Sequence, residues 1–243
     1  MQKRLLTKIS INGKIANTAE PTIKPKVFSG TGSQKKMFEY ADKLNHEFFI
    51  AEQILFGDKS SYQYMSFKNI DDFIKFDNEF KSKSFYELIR ENMPVNEYYD
   101  IDAKVQEWNS EVELITEFLR LREKFFESEL CPIHKDSRYF VNEFVVYDDL
   151  YITEACNDTK LSFHIIVKQG CHYKNTSDLQ YFMSCFNQFI KTQDTKFQLD
   201  LSVYNKNSLM RCVNSCKIND ANRVFRKYKF CKKIKDNKKF LCT

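Results

Sequence analysis

Glu97-Tyr98-Tyr99-Asp100-Ile101-Asp102 is the stretch on which the reading of this chain turns. It is rich in aromatic and β-branched residues and so reads as a strand, and the period of two then puts Asp100 and Asp102 on the same face. Two carboxylates held together raise each other's pKa and weigh on the fold unless a counter-charge joins them. A divalent cation removes that penalty and turns the pair into a site.

Two further segments repeat the pattern. In Lys160-Leu161-Ser162-Phe163-His164 the alternation sends Lys160, Ser162 and His164 one way and Leu161, Phe163 and Ile165 the other. A cation, a hydroxyl and an imidazole in line suit the oxygens of a triphosphate. In Leu199-Asp200-Leu201-Ser202-Val203-Tyr204 a third carboxylate opens a short β-prone run, and Arg211 and Lys217 follow it.

Around these segments the spacing predicts one amphipathic helix from Lys36 to Phe56, stopped by Gly57. Short β-prone runs follow at Tyr62 to Phe67, Phe85 to Arg90 and Glu97 to Asp102, interrupted by a helix-like stretch from Asp71 to Phe80. The box Ser110-x-x-Glu113 opens a second helix carrying Val112, Ile115, Leu119 and Phe126 on one face. Strands are expected at Val141 to Tyr147 and Leu161 to Lys168, then a helix opened by Ser177-x-x-Gln180. This order predicts an α+β sheet layer rather than a doubly wound parallel fold. Residues 1–34 read as an arm or edge strand with loops, and no Pro- or Ser-rich linker divides residues 35–243, which carry the motifs at 86–102, 160–164 and 200–217.

At 243 residues and 42% hydrophobic content the chain can bury a sizeable core. Its net charge of +5 permits a polyanionic partner without requiring one. No apolar run is long enough to span a membrane and Met1 to Thr18 lacks a secretory apolar core, so the expected setting is intracellular, with no membrane partner. None of the eight cysteines falls in a CxxC pair; Cys131 with His134, and Cys171 with His172, are isolated pairs and make no zinc ribbon. Basic residues gather in 222–243, where Arg223, Arg226, Lys227, Lys229, Lys232, Lys233, Lys235, Lys238 and Lys239 interleave with Phe225, Tyr228 and Phe230. Such a mixture can track phosphates and stack bases.

Taken together, the three segments resemble the hDhD, SxH and hD motifs of the archaeo-eukaryotic primase superfamily, nearest to its primase-polymerase and large-DNA-virus primase branch. The likeness extends to Tyr86-Glu87-Leu88-Ile89-Arg90-Glu91-Asn92 upstream and to Asp200 through Asn207, Arg211 and Lys217 downstream, covering roughly Tyr86 to Lys217. The resemblance implies an α/β N-terminal lobe beside an RRM-like lobe, with the active site in the cleft between them. It implies a primase or DNA-directed polymerase in which Asp100, Asp102 and Asp200 hold two Mg²⁺ or Mn²⁺ ions. Lys160, Ser162, His164, Arg211 and Lys217 would grip a nucleoside triphosphate, and Tyr86 would sit near its sugar. Single-stranded DNA template and primer are the implied partners, with a helicase or another replication protein beside them. Asp102 stands where some relatives carry Glu, and neither a zinc module nor a helicase follows the third motif. Two other readings stay open: a DxD glycosyltransferase using a nucleotide-sugar, which leaves the SxH strand unexplained, and a non-catalytic nucleic-acid-binding replication subunit.

Overall fold

The computed structural model describes residues 23–81, 83–132 and 150–243. The expected strand Val141 to Tyr147, His134 and most of the N-terminal arm lie outside them. The first helix, α1 (Ser33–Leu44), ends much sooner than the spacing predicts. Asn45 closes it in the left-handed conformation, φ 51°, with its N–H on the carbonyls of Ala41 and Asp42. Beyond it the chain turns into β1 (Phe48–Phe56) and β2 (Lys59–Phe67), a hairpin whose turn uses Gly57 at φ 61°. The single helix Lys36 to Phe56 is therefore a helix and a strand. β1 is buried on both faces, with Phe48 and Ile50 in one apolar cluster and Phe49 in another, so its apolar residues imitate helical spacing.

Next come α2 (Ile70–Asp77), β3 (Phe85–Ile89), β4 (Val95–Lys104) and α3 (Glu111–Glu127). The expected capping box opens α3: Ser110 Oγ accepts from the Glu113 N–H at 3.1 Å, and the Glu113 carboxylate accepts from the Asn109 N–H at 2.6 Å. After β5 (Leu150–Glu154) and β6 (Lys160–Tyr173), α4 (Thr176–Lys191) is capped by Asn175, which accepts from Asp178 N–H at 2.9 Å, rather than by Ser177. Asn is at least as good a cap as Ser, and it comes first in the chain. A 3-10 turn (Leu201–Tyr204), β7 (Ser208–Arg211) and β8 (Arg226–Lys227) follow, and 3-10 turns at Lys229–Cys231 and Asn237–Phe240 close the order.

The fold is α+β, as expected, with two antiparallel four-stranded sheets in the orders β2-β1-β3-β7 and β4-β6-β5-β8. Because β7 returns to the first sheet after β4, β5 and β6 and before β8, the last strand of the second, the two layers are not separate stretches of chain. In the second sheet, the Tyr99 ring lies 4.6 Å from Phe118 of α3 and 6.0 Å from Phe186 of α4. Alternation turns Tyr98, Asp100 and Asp102 to the opposite face. There the Tyr98 hydroxyl donates to the Val203 carbonyl at 2.8 Å and the Tyr204 hydroxyl to the Tyr98 carbonyl at 2.9 Å. These two bonds pin the 3-10 turn, and Asp200 before it, against the strand of the two aspartates.

The helix-side face of β4 holds a buried ion pair. Arg122 of α3 donates from Nε and Nη2 to the two oxygens of Glu97, at 2.6 and 3.1 Å, and the Tyr99 hydroxyl donates to the same carboxylate. Residues 241–243 form a strap between the sheets. Glu87 of β3, itself buried, accepts from the N–H groups of Cys242 and Thr243 at 2.6 and 2.8 Å, while Asn96 of β4 donates to the Cys242 carbonyl at 2.8 Å.

Candidate active site

In the antiparallel register of β4 and β6, Asp100 lies opposite His164, Asp102 opposite Ser162, and Lys104 opposite Lys160. Directly opposed residues share a face, so two motifs about 60 residues apart in the chain become one patch. Lys160 Nζ sits 2.5 Å from Asp102 Oδ2, with both side chains 38% exposed. His164 Nε2 stands 3.7 Å from Asp100 Oδ1, too far for a hydrogen bond. Ser162 is buried beside them.

Asp200 reaches the patch differently from the expectation. It does not open a strand; it caps the 3-10 turn, its Oδ1 accepting from the Ser202 N–H at 2.8 Å. Asp before an apolar run serves either purpose, and here its short side chain satisfies the first free N–H of the turn. Its charge acts on Asp100. Burial, then the charges of Asp102 and Asp200, push the Asp100 carboxyl up to about 7 against the opposing pull of Lys160 and Arg211. Burial, then Arg211, pushes His164 down to about 3, so its imidazole is neutral at neutral pH.

Arg211 comes from the other sheet, where it lies in register with Tyr86. Its guanidinium is 4.7 Å from the Phe225 ring centroid and 5.7 Å from that of Tyr86. Phe225 stacks on His164 at 3.9 Å. Asp100, His164, Phe225, Arg211 and Tyr86 thus form one continuous wall from the second sheet to the first. Two of its buried atoms, His164 Nδ1 and Arg211 Nε, have no hydrogen-bond partner among the described residues. Buried polar atoms are nearly always satisfied; a phosphate oxygen would satisfy Arg211 Nε, and a hydroxyl donor would satisfy His164 Nδ1.

Tyr86 is buried, with its hydroxyl donating to Gln53 Oε1 at 3.2 Å and the Tyr62 ring edge-on at 5.6 Å. The same Gln53 oxygen accepts from the Ile218 N–H at 3.0 Å. Gln53 therefore ties Tyr86 to the turn that carries Lys217, whose side chain is exposed one residue earlier.

Three carboxylates and no thiol make a hard oxygen donor set that suits Mg²⁺ or Mn²⁺, and a cation would return to its ionised form the Asp100 carboxyl that burial, then Asp102 and Asp200, raise. Their ligand atoms have not converged, since Asp102 leans onto Lys160. Among the described residues, three such atoms lie mutually within 4.8 Å only in Glu111, Glu154 and Cys156. In that group burial and the two carboxylates push the Cys156 thiol up to about 11, and burial and Glu111 raise the Glu154 carboxyl against the pull of Lys232, Lys229 and Arg226. A thiol held in its protonated form is not a metal ligand, so this group offers two carboxylates rather than three donors.

Sequence reasoning missed this group, Gln53 and Phe225. Phe225 had a signal, as an aromatic in the basic C-terminal run; Gln53 had none, since it lay within a stretch read as helix. Comparison of the chain with protein-family models and with curated proteins finds no match.

Proposed function

We propose that the chain is a metal-dependent nucleotidyltransferase that starts or extends a primer on a single-stranded DNA template. The observation that carries this reading is the register of β4 and β6, which sets two carboxylates beside an imidazole and a hydroxyl in front of Arg211. The finer fold reading, an α/β lobe beside an RRM-like lobe as in the archaeo-eukaryotic primases, is supported by two antiparallel sheets with the aspartates on the face turned toward β7.

In this reading Asp100, Asp102 and Asp200 hold Mg²⁺ or Mn²⁺. Bound there, the ions would lower the pKa of the primer 3′-hydroxyl and neutralise charge on the α-phosphate and the leaving pyrophosphate. The chain's own residues bind and orient. Arg211 and Lys217 receive the triphosphate, and Lys160, once Asp102 turns to a cation, is released to join them. His164, uncharged, gives its ring N–H to the Arg211 backbone and leaves Nδ1 as an acceptor, and it is too weak a base to take the primer proton. Ser162 adds a hydroxyl beside it.

The test is incorporation on a labelled primer-template. Extension by the complementary nucleotide, dependent on both template and divalent metal, is the expected result. Turnover of a nucleotide-sugar without template, or no extension with Mg²⁺ or Mn²⁺, would overturn the reading.

Tyr86 sets a second expectation. A ring held by Gln53, Tyr62 and Arg211 at the sugar position crowds a 2′-hydroxyl. Tyr86→Ser should relax discrimination against ribonucleotides by about 1–3 kcal/mol, the scale of a small steric feature in a pocket. Gln53→Leu should share part of that loss and Gln53→Glu, which keeps the acceptor, should not. The readout is the ratio of ribonucleotide to deoxyribonucleotide incorporation; an unchanged ratio in Tyr86→Ser with activity retained would make the residue purely structural.

A further inference from the structure

The structure divides the basic C-terminal run into cations already engaged and cations left over. Arg223 pairs with Asp220 at 3.5 Å, Lys227 donates to the Ile234 carbonyl at 2.5 Å, and Lys238 pairs with Asp71 at 2.6 Å. Lys232 and Lys233 are exposed and make no ion pair within 4.0 Å among the described residues. The aromatic residues divide too. Phe225 lines the candidate active site, Tyr228 is fully buried, and Phe230 is 68% exposed. The Tyr228 ring braces Phe230 edge-on at 5.2 Å, and Lys229 Nζ lies 5.5 Å from its centroid.

We propose that Phe230, with Lys229, Lys232 and Lys233, is a stacking surface for single-stranded nucleic acid at the outer edge of the second sheet, on the face away from the aspartates. A braced, exposed ring flanked by ammonium groups offers one face for a base and charges for the phosphates beside it. β8 carries the chain over the outer edge of the second sheet: Phe225 packs on His164 on the aspartate face, while Tyr228, which braces Phe230, packs on Phe163 at 5.6 Å on the helix-side face. Glu111 and Glu154 act on Lys229, yet the cations here outnumber them. The inference rests on the template-directed reading for the identity of the polymer.

The experiment is fluorescence anisotropy of a labelled oligothymidylate across a salt series, in EDTA so that the aspartate site takes no part. Phe230→Ala should weaken binding about tenfold, the loss of one stacked base, without changing the salt slope, and Phe230→Trp should retain it. Changing Lys229, Lys232 and Lys233 together to Ser should flatten the slope by about 2 units. On an abasic oligonucleotide, Phe230→Ala should bind as the parent does. Unaltered oligothymidylate binding by Phe230→Ala would overturn the surface. So would competition by polyglutamate as strong as by the oligonucleotide, which would indicate an acidic protein partner. A parent that binds through Phe230 but extends no primer would remove the polymerase reading and leave this surface standing.

Discussion

Replacing Asp100 by Asn is expected to abolish primer extension, by at least about a thousandfold or ~4 kcal/mol of barrier, while making the metal-free protein more stable. Both effects come from the same crowding. Asp100 is a partly buried carboxylate, its side chain 22% exposed, beside the charges of Asp102 and Asp200. Its carboxyl lies near 7 in the folded chain and near 4 when unfolded, so folding favours the protonated form. The stability it lends is complete below about pH 4 and is lost as the pH rises through about 7. Relative to the parent, the Asn variant should therefore gain nothing at pH 4 and on the order of 4 kcal/mol at pH 8, a rise in Tm of about 8–16 °C. Mg²⁺ should stabilise the parent above pH 7, its affinity falling about tenfold per unit below that as the proton competes. A variant with normal extension would remove Asp100 from the chemistry. A Tm difference that does not change with pH would remove the charge argument.

Arg122→Met should be the most damaging single change away from the site. Glu97 is 0% exposed, and without the guanidinium its carboxylate would stay buried with only the Tyr99 hydroxyl as partner. Breaking a buried pair in this way costs about 3–5 kcal/mol, a fall in Tm on the order of 10 °C for a chain of this size. Adding Glu97→Gln to Arg122→Met should recover much of the loss, because no uncompensated charge remains. Thermal denaturation of the two variants decides it: a double variant as unstable as the single would place the effect in lost packing of the Arg122 stem instead.

Much of the candidate site was legible because its strands have one buried and one polar face. In β4 and β6 the alternation around Asp100, Asp102, Ser162 and His164 survives folding unchanged, and their pairing follows from antiparallel register. β1 failed for the opposite reason. With Phe48 and Ile50 in one cluster and Phe49 in another, it has no polar face to betray its period. Asp200 was found as a residue but not as a cap, since an aspartate before an apolar run fits both. Gln53 and Phe225 owe their positions to contacts with residues more than 30 and 60 positions away in the chain, at Tyr86 and His164, and no local pattern announces such contacts.

The return of β7 to the first sheet also sets a schedule for synthesis. β3 emerges from the ribosome with one flank paired to β1, while its other flank waits for Ser208–Arg211. At 5–20 residues per second, the 119 positions between Ile89 and Ser208 leave that flank open for about 6–24 s. The half-built sheet thus presents an unpaired edge of apolar strand, Phe85-Tyr86-Glu87-Leu88-Ile89, at the stage when nascent chains crowd one another. Arg211 arrives on the strand that closes this edge, so the cleft gains its guanidinium in the same event that ends the exposure.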